Sequence, residues 1–245
     1  MIKRMLSAFS FITVIPIKTD YFGKYTVAFF PVVGMFIGAL LFLTGLLFSK
    51  TIAPSLSAFV LLLLYIIITG GFHLDGFADT VDALSGNLKY KDKFFEIMAD
   101  PHIGLMGVIG LILLLIADYI ALKILVETAS FGVIAAAPVL ARAGMVFSIH
   151  IGHPAKQNGL GKYIMSLRNW KVLFLAFISS VAFSFIFLSL FDVLILLFIT
   201  AVVSIGAVVY FNQKIRGITG DILGFITELA LATNLFIFAI LKSYG

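Results

Sequence analysis

Cysteine is absent from the 245 residues. Disulfides, thiol nucleophiles and cysteine-ligated zinc or iron–sulfur centres are therefore excluded, and the redox compartment cannot be read from the sequence. Charge is also scarce: 12% of residues are Asp, Glu, Lys or Arg, against roughly 25% in ordinary soluble domains. So few charges cannot cover a water-facing surface, which excludes a soluble globular domain. The 62% hydrophobic content equally excludes disorder, which needs low hydrophobicity and high charge. Alternating segments of about ten residues, the mark of an outer-membrane barrel, are missing, as are internal repeats. A mean hydropathy of +1.16 completes the case for an all-α, polytopic integral membrane bundle in one domain spanning 1–245.

Crossing about 30 Å of hydrocarbon takes roughly 20 apolar helical residues. Seven stretches qualify, near 27–49, 53–72, 103–124, 129–149, 172–191, 193–211 and 222–241. The opening MIKRMLSAFSFITVIPI lacks a small-residue cleavage site after Pro16 and reads as an amphipathic segment lying in the interface. The formal charge of +5 and pI near 9.4 could suggest nucleic acid, but the basic residues sit in short loops between apolar runs, so no nucleic-acid partner is expected. One face of the seven-span topology takes Lys3, Arg4, Lys18, Lys24, Lys89, Lys91, Lys93, Lys156, Lys162, Arg168, Lys171, Lys214 and Arg216. The other takes Lys50, Lys123 and Lys242. The positive-inside rule then puts the first face in the cytoplasm. The expected location is the cell (inner) membrane, with membrane lipid as surroundings and the chemistry on the cytoplasmic side. A homo-oligomer stays open.

The acids gather on that same face. In GGFHLDGFADTVDAL, residues 70–84, a helix would place Asp75, Asp79 and Asp82 within about 60° of one another. Two carboxylates about 6 Å apart repel by roughly 3 kcal/mol at an effective dielectric of 20. With no basic residue three or four positions away, the face calls for a counter-cation or a shifted pKa. Oxygen-only donors suit a hard ion such as Mg²⁺, which typically bridges carboxylates and phosphates. The apolar spacers Leu74, Phe77, Ala78, Val81 and Leu84 set the cluster at the bilayer boundary rather than on a solvated helix start.

RGITGDILGFITE, residues 216–228, supplies Asp221 and Glu228 seven positions apart on one helical face. Intramembrane acids are costly and default to functional candidates. EIMADPHIGLMG, residues 96–107, offers Asp100 as a ligand or as the cap of the third span, with Gly104 and Gly107 as a small-residue packing face. Asp118 lies toward the other membrane face and reads as structural. Arg142 interrupts an apolar span and needs a partner, either a substrate phosphate or Glu228. The loop at 152–171, with Lys156, Asn158, Gly159, Gly161 and Lys162, could cover phosphates or simply be solvated.

Taken together, GGFHLDGFADTVD, EIMADPHIGLMG, FFPVVGMFIG, ITGDILG and the opening FITVIPI resemble, in order, the sequence blocks of the cobalamin synthase family, the adenosylcobinamide-GDP ribazoletransferases. The resemblance covers residues from about 9 to about 228. It implies a Mg²⁺-dependent membrane transferase that joins adenosylcobinamide-GDP to α-ribazole or its 5′-phosphate and releases GMP, late in cobalamin biosynthesis. On that reading the metal ligands are Asp75, Asp79, Asp82, Asp221 and Glu228. His73, Asp82 and Asp221 are the catalytic candidates, and Gly76, Asp100, Arg142 and Lys162 the substrate contacts. Two rival classes fit less well. A CDP-alcohol phosphotransferase needs Asp-x-x-Asp-Gly-x-x-Ala-Arg, and from Asp79 this chain has Ala83, Gly86 and Asn87 where Gly, Ala and Arg belong. A cation- or proton-coupled transporter would want acids near mid-membrane and often inverted repeats.

Overall fold

The computed structural model describes residues 1–19, 21–86 and 91–244. Asp20, Asn87 and Lys89 lie outside them. The described residues fold as eleven α-helices without a strand. In chain order these are α1 (Ile2–Ile12), α2 (Phe30–Phe48), α3 (Pro54–Thr69), α4 (Phe72–Ser85), α5 (Lys91–Ile97), α6 (Leu105–Glu127), α7 (Phe131–Ile151), α8 (Leu160–Ser166), α9 (Trp170–Ser184), α10 (Leu190–Ile215) and α11 (Gly220–Ser243). A short 3₁₀ turn, Val27–Phe29, leads into α2. This is a multi-pass membrane protein.

Among the described residues five segments are each long and apolar enough to cross a bilayer: Val27–Phe48, Leu105–Glu127, Phe131–Ile151, Leu190–Ile215 and Gly220–Ser243. The other two expected spans are not single rods. α3 and α4 pass the same test only as a pair bent by 91°, and α8 and α9 only as a pair bent by 93°. The first break has a backbone cause. Gly70 and Gly71 sit at φ +65° and +71°, the left-handed region that ends a helix and that glycine enters without a Cβ penalty. Instead of ending near residue 72, the second apolar run therefore stops at Thr69, and the acidic motif begins a new helix in a new direction. The amide of Val14, just beyond α1, donates to the Ile68 carbonyl at 2.9 Å and satisfies one end of the break.

α7 is the hub: nearly every residue from Val133 to Ile149 is buried. Gly34 and Gly38 of α2 face it, and a methyl group at Gly34 would come within 2.7 Å of the Pro138 carbonyl. The two backbones approach this closely because neither glycine has a side chain, the small-xxx-small logic of membrane helices. Leu63, Leu113, Phe174 and Phe198 are exposed on outward helix faces, which is ordinary for surfaces that meet lipid. α1 turns Ala8 and Ile12 inward and holds the Arg4 guanidinium 4.9 Å from the Tyr25 ring centre, as an interfacial helix would.

Candidate active site

α4 lies between α11 and α6, and glycine sets both approaches. A Cβ on Gly76 would stand 2.8 Å from the Asp221 carbonyl oxygen, and one on Gly224 would stand 3.2 Å from the His73 Cα. α4 therefore lies almost backbone to backbone against the first turns of α11. The Asp79 carboxylate is brought within electrostatic range of Asp75, Asp221 and Asp82. Asp75 is exposed, while Asp79 and Asp221 are half-buried. Among the described residues none of these acids forms a salt bridge; the three ion pairs found join His73 to Glu228, His102 to Asp100 and Lys123 to Glu127. The Thr219 hydroxyl donates to Asp221 at 3.4 Å and accepts from the Ile222 amide at 3.3 Å, capping α11 and steadying the acid.

Asp82 shares the helix with Asp75 and Asp79, but its oxygens are engaged. Oδ2 accepts from the Gly104 amide at 2.7 Å and Oδ1 from the Gly107 amide at 2.8 Å. It caps α6 from a different helix, and only glycine at 104 and 107 lets the carboxylate come so close: a Cβ at Gly104 would lie 2.8 Å from the Asp82 Cγ. The expectation that Asp100 begins the third span therefore changes. Asp100 is exposed and binds the backbone and ring nitrogens of His102, at 2.9 and 2.8 Å. Those bonds, the backbone one first, hold its carboxyl below the usual range. Asp82→Ala is expected to cost about 1–2 kcal/mol through the lost cap, read as a lowered unfolding temperature and as faster hydrogen exchange at the first amides of α6.

Where α4 meets α11, Asp79 and Asp221 are set back from the surface and Asp75 stands at its edge; beneath this recess lies a buried polar chain. The Tyr65 hydroxyl donates to Glu228 Oε1 at 2.7 Å and accepts from an Arg142 amino group at 3.3 Å. Another Arg142 amino group donates to the Pro138 carbonyl at 3.3 Å, and His73 Nδ1 stands 3.6 Å from Glu228 Oε1. Arg142 is 0% and Glu228 1% exposed. Arg142 thus reaches Glu228 through a tyrosine, both are buried in the interior, and Glu228 lies against His73. Tyr65 was missed because one aromatic in the run LLLLYIIIT looks like packing; the available signal was that a buried phenol needs a hydrogen-bond partner. Asp118, 2% exposed, lies in the same interior, bordering a small cavity with Tyr65 and Pro138.

Lys162 is exposed and donates to the Gln157 carbonyl at 2.6 Å. Its neighbour Gly161 packs against Gly220, where a Cβ would stand 3.0 Å from the Gly220 amide nitrogen. The 152–171 loop therefore borders the start of α11, which carries Asp221.

Among the described residues no three His, Asp or Glu side chains are gathered closely enough to hold an ion by themselves. Asp75, Asp79 and Asp221 nevertheless present hard oxygen donors that form no ion pair among the described residues. Mg²⁺ commonly takes only one or two carboxylates and completes its octahedron with water and phosphate oxygens. The donors fit such a shared ion and do not form a closed cage.

A family model described as cobalamin-5-phosphate synthase matches residues 4–239. The chain belongs to the cobalamin-5-phosphate synthase family. Curated relatives of this synthase family include the adenosylcobinamide-GDP ribazoletransferase of Clostridium acetobutylicum, 35% identical over 93% of this chain and 92% of its own length. Those of Caldanaerobacter subterraneus subsp. tengcongensis (31% identical, covering 98% and 99%) and Clostridium botulinum (36%, covering 85% and 84%) carry the same name. No solved structure matches.

Proposed function

We propose that the protein transfers the adenosylcobinamide phosphoryl moiety of adenosylcobinamide-GDP to α-ribazole or its 5′-phosphate and releases GMP, late in cobalamin assembly. A ribazole hydroxyl oxygen bonds to the cobinamide-side phosphorus, and the bond from that phosphorus to the oxygen of the GMP phosphate breaks. GMP leaves with the electron pair. The hydroxyl proton passes to a carboxylate of the recess; His73, turned toward Glu228, is the alternative acceptor. The reading is supported by the family and by the acids that α4 and α11 bring together, which form no ion pair among the described residues. Asp75, Asp79 and Asp221 would hold Mg²⁺, whose charge offsets that of the diphosphate. The basic loops favour a cytoplasmic face for this recess, in the cell membrane. No observation favours the transporter reading.

The test is GMP release by the purified protein in detergent or nanodiscs, supplied with adenosylcobinamide-GDP and α-ribazole. Turnover is expected to vanish with EDTA and return with Mg²⁺; the absence of GMP release under every condition would overturn the proposal. Gly76→Ala is expected to push α4 off α11 and lower turnover roughly 100-fold, because misplacement by about 1 Å costs that much. Steady-state kinetics on the folded variant checks this.

A further inference from the structure

Outside the acidic recess, two ammonium groups each lie near one ring. Lys91 Nζ stands 5.4 Å and Lys156 Nζ 5.0 Å from the centre of Phe95. Lys91 is also fixed by donating to the Ala155 carbonyl at 3.2 Å. Asp92 and Glu96 share α5 with Lys91, yet among the described residues neither lysine has a carboxylate within salt-bridge distance. The lysine-bearing loop is tied to the recess: the Ala155 amide donates to the Ile218 carbonyl at 3.0 Å, and the Ile218 amide to the His153 carbonyl at 2.8 Å. Ile218 lies three residues before Asp221.

Two ammonium groups beside one ring, with no carboxylate at salt-bridge distance among the described residues, favour an anion placed next to them. Lysines are compact point charges that suit phosphate oxygens without demanding bidentate geometry. We infer that Lys91 and Lys156, braced by Phe95, form a phosphomonoester-binding site on the rim of the recess. This rests on the proposed transferase reading, in which two phosphomonoesters occur: the phosphate of departing GMP and the 5′-phosphate of the acceptor. Both are dianionic near neutral pH, and the neighbouring carboxylates would repel either one unless cations stood close by.

The experiment uses the full-length enzyme with Lys91→Gln, Lys156→Gln and the double variant, and Lys214→Gln as a surface-charge control. One arm measures GMP as a product inhibitor. The other measures kcat/KM for α-ribazole 5′-phosphate relative to α-ribazole. Loss of a charged hydrogen bond is expected to change the affected quantity roughly 10-fold per lysine. A weakened GMP inhibition with unchanged acceptor preference assigns the site to the leaving group; a lost preference for the 5′-phosphate with unchanged inhibition assigns it to the acceptor. Lys156→Arg should restore the affected quantity. Among the described residues the Lys156 side chain makes no backbone bond, so its variant separates ligand binding from loop support by Lys91. If wild-type enzyme turns over and the Lys156 variant matches it in both arms, the site is overturned while the transferase reading stands. A wild-type protein that releases no GMP overturns both.

Discussion

Asp79→Ala is expected to lower GMP release by roughly two to three orders of magnitude, the range seen when one preorganised electrostatic group is removed from a reacting centre. Asp79 is an acid with Asp75, Asp221 and Asp82 all in electrostatic range. Asp75→Ala and Asp221→Ala should act in the same direction. A half-buried carboxylate among like charges contributes little to folding, so the Asp79 variant should keep its detergent-extracted elution profile and unfolding temperature. Removing a repelling neighbour would raise them if anything. Rate loss without stability loss is the signature of a group kept for ligand binding. A folded Asp79→Ala protein with ordinary turnover would remove the acids from the chemistry.

Asp75, Asp79 and Asp82 do share one helix, α4, as their spacing requires, and helix type was legible because the 3.6-residue period is local information. The fate of each carboxylate was not. Asp82 differs from Asp79 only in facing the start of α6, where Gly104 and Gly107 admit it, and nothing near residue 82 in sequence reveals that meeting. The apolar runs were readable by length, but their direction was not, because hydropathy averages over backbone direction; the only local sign of the break was the Gly70–Gly71 pair itself. The identity of the recess helices was legible in the motifs at 70–84 and 216–228. Their closeness depends on Gly76 and Gly224, whose role is defined only by the backbone opposite. Arg142 plainly needed a partner, yet sequence offered Glu228 or a phosphate and could not supply Tyr65, which stands between them.

That buried chain leads to the largest expected effect on stability. Trimming Tyr65 to Phe removes the hydroxyl that bridges Arg142 and Glu228 and is expected to cost about 1–3 kcal/mol, the penalty for a buried group left without its partner. Arg142→Leu is different in kind. Glu228 would keep its place in the interior with its balancing cation gone, and stranding one member of a buried charge system costs about 3–5 kcal/mol. Arg142→Leu is therefore expected to lower the unfolding temperature sharply in detergent, whereas Arg142→Leu combined with Glu228→Leu should recover much of the loss. The pair would be far from additive, as coupled neighbours are. The effect should also reach the site, because His73 stands 3.6 Å from Glu228 and shares the first turn of α4 with Asp75. Additive losses in the two single variants and the double would mean that the charges do not balance each other, and that each is held by its own local hydrogen bonds.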